Sequence, residues 1–380
     1  MESNFFDFEI AEERKRELER YYDNLKNREV FIFGAGEYAN KLKAFLSLKG
    51  ISVKDFVVND HFANKIQGVQ SLSKIAKLND FSLVYGLESG YSKQLYKMIE
   101  KIKKEIVNCK NVDLFIPSDY WLVEQGDLYL NHETMNTSFL KGHFDEFKQT
   151  YEMLADDLSK KVMVEYLYTC VCRDASKLAQ LGTGWDYEYD LELLLSACGD
   201  GVIVECGAFD GKTISQISEF TKNKHDMIAL ECDEINYKKC CERVAEFANI
   251  KVLKLGAWDK RAKLAMMHLN SASYLKEVDD DAGYDNVVEV VEIDSLTTKR
   301  IAAIVMDIEG SEMKALAGAQ NAIKNGANLA VRVYHKKEDL ITIPQYIKSI
   351  NSAYKFYIRF DRGANLCRTA IETTLYATCE

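Results

Sequence analysis

The chain has 380 residues, 47% of them hydrophobic and 28% charged, with a formal net charge of -10. That length predicts two or three domains, and the apolar content beside this charged fraction excludes a disordered chain. The acidic balance disfavours nucleic acid and anionic membrane as partners.

No apolar run reaches the roughly 20 residues of a membrane span, and Met1 to Ile10 lacks a basic region followed by an apolar core, so a cytosolic protein is expected. The ten cysteines, among them Cys170, Cys172 and adjacent Cys240 and Cys241, show no zinc-type pairing. They read as reduced apolar side chains.

In chain order, Ser3 to Asn27 is a charged helical lead segment, read as an amphipathic helix on the following domain. From Glu29 the pattern becomes strand, loop and helix. Val30 to Phe33 predicts a strand, Gly34 to Ala39 a tight loop, and Asn40 to Leu48 a helix. Val53 to Val58, Ser82 to Tyr85 and Val112 to Ile116 predict further strands, giving a small parallel α/β unit ending near Pro117. Gly34, Gly36 and Ala39 partly match a dinucleotide loop, with Asp60 at a ribose-acid position; a structural or docking module is the preferred reading. Between Asp119 and Tyr187 apolar and aromatic residues recur at helical spacing: Phe144, Phe147, Tyr151 and Leu154, then Val162, Tyr166 and Tyr168.

The segment Val202-Ile203-Val204-Glu205-Cys206-Gly207-Ala208-Phe209-Asp210-Gly211-Lys212-Thr213 carries the strongest chemical signal. A buried strand ends in an acid and runs into a glycine loop that lets a ligand lie against the main chain. Met227 to Glu231 is a second apolar strand ending in an acid. Ligands bind beyond the carboxyl ends of parallel strands, so Glu205 and Glu231 are expected in one crevice, with Glu231 on ribose hydroxyls. Asp210 within the loop and Glu205 before it would repel a diphosphate. They suit a cationic nucleoside, and S-adenosylmethionine fits better than NAD.

The segment Ile304-Val305-Met306-Asp307-Ile308-Glu309-Gly310-Ser311-Glu312-Met313-Lys314-Ala315-Leu316-Ala317-Gly318-Ala319 resembles the fourth-strand signature of FkbM-family methyltransferases. Val291 to Leu296 resembles the family's short strand and Asp element, Leu329 to Lys336 its fifth strand with a terminal His, and Ile371 to Ala377 its closing strand. The likeness runs from near Tyr189 to the end of the chain. Glu205 stands where many members have Asp, and Cys232-Asp233 follows Glu231 where a proline is common.

The resemblance implies a class I methyltransferase-type α/β fold: a mostly parallel seven-stranded sheet with a C-terminal antiparallel hairpin. The short link between Lys355 to Phe360 and Ile371 to Thr378 independently requires antiparallel pairing. A helical segment and a small Rossmann-like α/β domain precede this sheet. The expected domains are 1–28 (lead), 29–118 (Rossmann-like), 119–188 (helical cap) and 189–380 (methyltransferase). The donor is expected on Glu205, Gly207, Asp210, Gly211 and Glu231, with Gly256 and Ala257 near the adenine. Tyr189, with Trp185 and Tyr187, would cover the donor or grip a sugar ring.

Methyl transfer needs in-line positioning and a base for the acceptor proton. Asp307 and His335, at successive strand ends, are the candidates, with Glu309 contacting substrate and Glu312 serving a helix N-terminus. No dedicated metal-ligand set is evident, and none is expected. The implied activity is O-methylation of a sugar hydroxyl, in a small molecule or a cell-surface glycan. The alternatives are a nicotinamide- or sugar-nucleotide-dependent oxidoreductase using the N-terminal glycine loop, or a non-catalytic scaffold.

Overall fold

The computed structural model describes residues 5–78, 80–87, 101–104, 106, 112–115, 135–172, 176–182, 187–269, 272–277, 286–360 and 372–379. Two compact units emerge. One joins Met1–Asp127 with Val162–Gly184 and Arg362–Ile371; the other joins Leu128–Lys161 with Trp185–Asp361 and Glu372–Glu380. This division differs from the expected boundaries at 118 and 188, because the helix Asp157–Cys172 begins in the second unit and ends in the first.

The first unit holds a parallel sheet of β1 (Glu29–Phe33), β2 (Val53–Val58), β3 (Val69–Ser71), β4 (Phe81–Tyr85) and β5 (Val112–Phe115), in the order β3-β2-β1-β4-β5. Val30, Phe31, Ile32 and Phe33 are all buried, as the apolar run of a parallel strand covered on both faces requires. Tyr22 and Leu25 of the helix Phe8–Lys26, and Leu42, Phe45 and Leu46 of the helix Glu37–Leu48, pack with Val30, Ile32 and Val84. The lead helix is therefore part of this unit's core. Arg14 clamps Glu165 through two hydrogen bonds of 2.7 and 3.0 Å, and Phe6 stacks on Tyr168.

Gly34 has φ +125, and a Cβ there would lie 2.5 Å from the Gly86 carbonyl oxygen. Strand packing alone accounts for this glycine. Asp60 accepts a hydrogen bond from the Ser73 backbone and so ties the turn after β2 to the helix Leu72–Ile75.

In the second unit come β6 (Val202–Cys206), β7 (Met227–Leu230) and β8 (Ile250–Leu253), then β9 (Gly256–Ala257), β10 (Ala262–Leu269), β11 (Ala272–Lys276) and β12 (Val287–Val291). They are followed by β13 (Ile301–Met306), β14 (Asn328–Arg332), β15 (Lys355–Arg359) and β16 (Thr374–Thr378). Seven of these form one sheet, β15-β16-β14-β13-β6-β7-β8. Strands β6, β7, β8, β13 and β14 run parallel, while β16 is antiparallel to both β14 and β15. The chain moves outward from β6 in both directions, so a crevice opens beyond the carboxyl ends of β6 and β13.

Strands and helices do not simply alternate through this unit. Between β8 and β13 lies a second, four-stranded sheet, β11-β10-β12-β9, with antiparallel β10 pairs and a parallel β12–β9 pair. Its apolar positions, Trp258, Leu264, Met266, Val288 and Val290, form a core of their own. Along β12 Val287 and Glu289 are exposed while Val288 and Val290 are buried, as in a half-buried sheet.

Candidate active site

The loop after β6 is shaped by packing as much as by any ligand. Gly207 has φ +83, and a Cβ would lie 2.0 Å from the Asp307 carbonyl oxygen. The glycine is what lets β6 and β13 finish side by side, with Asp307 N–H donating to the Cys206 carbonyl at 3.1 Å. Gly211 is left-handed, and a Cβ would meet Cys240 Sγ at 2.9 Å. Phe209, between them, holds φ +48, a costly conformation for a non-glycine residue of the kind found at functional sites. Cys206 is fully buried and its thiol is pushed upward by that burial, so it is an inert packing group rather than a reactive one.

Glu231 ties this loop to the next. Its two carboxylate oxygens accept from Phe209 N–H and Asp233 N–H, each at 2.8 Å. Burial nevertheless raises its pKa. Glu205 is buried deeper, and Oε2 has no hydrogen-bond partner among the described residues. Burial, then repulsion from Glu188, drives its pKa well above the carboxylate range; Glu231 and Asp307 add to that repulsion. Asp210, by contrast, is paired with Arg243 and caps Lys212 N–H, so its charge is already balanced.

Beyond β13 the chain turns through Glu309 at φ +53 and Gly310 at φ +90. That left-handed step brings Glu309 beside Asp307 and His335. His335 Nε2 lies 3.5 Å from Asp307 Oδ1 and 3.6 Å from Glu309 Oε2, while Nδ1 meets Glu312 Oε1 at 2.8 Å. One donor atom each from Asp307, Glu309 and His335 falls within 4.8 Å of the others. Burial alone would lower the His335 pKa, but Glu312, Glu309 and Asp307 together raise it to about 10. Burial moves Glu309 the other way for an acid, up to about 7, against the charge of His335.

Several partners were not anticipated. Arg332, fully buried at the end of β14, places Nε 3.4 Å from Asp307 and Nη2 3.6 Å from Glu188, and its Nη1 donates to Thr374 Oγ1 at 2.6 Å. An arginine inside the run Leu329-Ala330-Val331-Arg332-Val333 was the available signal, since a fully buried charge must be paired. Glu312 does reach the helix start, accepting from Ile308 N–H, but it also grips His335.

The aromatic expectations change as well. Tyr189 is 2% exposed within the sheet's core, with the Arg332 guanidinium 4.4 Å from its ring centre. It offers no open face to a sugar or a donor. Tyr187 is half-buried, edge-on to Phe220, and Trp185 lies outside the described residues. Gly256 and Ala257 are buried as β9, paired with Val290 and Val291.

The fold is of the α/β methyltransferase type. Residues 205–354 match the methyltransferase FkbM domain, so the chain carries a methyltransferase domain of that kind over this segment. A crystal structure of methyltransferase FkbM from Methylobacillus flagellatus KT resembles it over 92% of this chain and 90% of that one, at 19% identity and TM-score 0.60. That likeness is one of fold. An rRNA methylase from Streptococcus thermophilus (10% identity, 50% of this chain and 94% of that one, TM-score 0.31) and a SAM-dependent methyltransferase from Aquifex aeolicus (14%, 55% and 99%, 0.28) are more distant and carry no argument. No curated protein sequence matches the chain. Among the described residues no helix is long and apolar enough to cross a membrane.

Proposed function

We propose that this methyltransferase uses S-adenosylmethionine to methylate a hydroxyl group of a sugar, in a small molecule or a glycan. The observation that carries the donor is the ring of carboxylates at the ends of β6, β7 and β13. Glu205 is buried without a partner for Oε2 among the described residues and is crowded by Glu188, Glu231 and Asp307. Such a site is relieved by a cation and penalised by a diphosphate, which favours a sulfonium and ammonium ligand over NAD. When bound, the donor supplies a methyl group on a positively charged sulfur. The residues present fit it: Glu231 is held by the loop at the strand end where ribose hydroxyls are read, and Glu205 and Gly207 flank the methionine side.

At the acceptor side Asp307 and Glu309 are partly exposed carboxylates, with side chains 28% and 35% accessible. They hold the acceptor hydroxyl in line and take its proton as the oxygen–carbon bond forms and the sulfur–carbon bond breaks. Arg332 supplies positive charge behind them, with Nε 3.4 Å from Asp307, which orients Asp307. The sugar assignment rests on the family likeness.

Isothermal titration of the full chain with S-adenosylmethionine and with NAD tests the donor. Binding of NAD alone would overturn it. Labelled donor offered with glycans, phenols and peptides tests the acceptor; label appearing only on nitrogen or on a phenol would sink the sugar reading.

A further inference from the structure

We infer that Asp307, Glu309 and His335 form a binding site for one divalent cation of the Mn2+ or Mg2+ class, a ligand set that the sequence did not lead us to expect. The three donor atoms come from the turn after β13 and the end of β14 and lie within 4.8 Å of one another. Ligands of one octahedral ion at about 2.1 Å stand about 3 Å apart when adjacent. Separations of 3.5 and 3.6 Å from His335 Nε2 to Asp307 and Glu309 therefore need only a small contraction.

An acidic cluster alone would not make a site. The second observation is His335 itself, 4% exposed, with Nε2 aimed between the two carboxylates and lacking any hydrogen-bond partner among the described residues. The other ring nitrogen is held by Glu312 Oε1 at 2.8 Å, and the same oxygen accepts from Ile308 N–H at 3.1 Å. A carboxylate that fixes Nδ1–H and turns the Nε2 lone pair toward a cation is the usual support of a metal-binding histidine. Two carboxylates and one imidazole suit a hard to borderline cation rather than a thiophilic one. The side chains of Asp307 and Glu309 are partly exposed, so an ion has a way in and keeps coordination positions for water or an acceptor oxygen. In the proposed methyl transfer it would polarise the acceptor hydroxyl; the metal site itself rests on the geometry and not on that reaction.

The test is titration of the chelator-treated full chain with Mn2+, following loss of the free-ion paramagnetic resonance signal. One equivalent should bind. Asp307→Asn, Glu309→Gln and His335→Gln should each weaken binding at least tenfold, and Glu312→Gln by roughly 10- to 100-fold. Asp226→Asn, at an exposed pair with Lys299, should leave it unchanged. Circular dichroism melts check folding, and if a buried variant does not fold, the partly exposed Glu309→Gln decides. No stoichiometric binding up to millimolar Mn2+, or binding indifferent to Glu309→Gln, overturns the site. Donor titration on the same metal-free protein separates the two ideas: donor binding with no Mn2+ site refutes only the metal, and an Mn2+ site without donor binding refutes only the donor.

Discussion

Glu205 sets a conflict between stability and binding within one side chain. Its folded pKa is raised by burial and by Glu188, so ionisation costs stability as pH climbs from the unfolded value toward the folded one. Glu205→Gln, which cannot ionise, should melt above the wild type at pH 7 to 8. The advantage should vanish below about pH 4, where both states of the native residue are protonated. Donor affinity should fall in the same variant, and a stabilised protein with unchanged affinity would remove Glu205 from the donor site. Glu231→Gln should weaken the donor by about 1–3 kcal/mol, the usual loss for a hydrogen bond to a charged group. Gly207→Ala should destabilise the ligand-free chain by about 2–5 kcal/mol, through left-handed strain and overpacking against the Asp307 carbonyl. Urea unfolding without donor checks this, since a glycine kept only for ligand space would show no loss.

At the scale of elements, the start of the helix Asp157–Cys172 is bound to β15. Asp156 accepts from Ser159 N–H at 2.7 Å and takes a two-pronged contact from Arg359 at 2.7 and 3.3 Å. Ser159 Oγ in turn accepts from Ile358 N–H. Burial would raise the Asp156 pKa, but Arg359 and Ser159 overcome it and hold it below the usual value. Its stabilisation is therefore fully present above about pH 4 and lost as pH falls through the lowered folded value. Asp156→Ala should cost about 1–2 kcal/mol, a helix-cap loss plus a partly screened ion pair. The melting curves of variant and wild type should converge in acid. Elsewhere Asp294 caps the helix Gln320–Lys324 from a distant turn, accepting from Asn321 and Ala322 N–H at 2.7 and 2.9 Å. This gives the family-like Asp element a structural task.

For the whole molecule, the net charge of -10 and the carboxylate ring act in the same direction on a cationic ligand. A donor that binds only the folded chain stabilises it by about 2.7 kcal/mol at a concentration one hundred times Kd. Differential scanning fluorimetry with S-adenosylmethionine should show a raised melting temperature, absent with NAD, and a smaller rise for Glu231→Gln at the same concentration. An equal shift with NAD would count against the carboxylate ring as the basis of selectivity.

Sequence by itself determined the buried strands β1, β6, β7, β13 and β14, because fully covered parallel strands must be apolar along their length. It also marked the strand-end acids Glu205, Glu231 and Asp307, which interrupt those runs with charge. The four-stranded sheet was not legible, since its ends meet only through pairing distant in sequence, as between Val290 and Gly256. Nor were the charge states. His335 looked like a base as an isolated residue, and only the fold put Asp307, Glu309 and Glu312 around it and so raised its pKa. Likewise, Gly207 read as room for a ligand until the Asp307 carbonyl was seen to occupy the space its Cβ would need. Local pattern encodes burial and turns one element at a time, whereas electrostatics and close approach depend on which elements become neighbours.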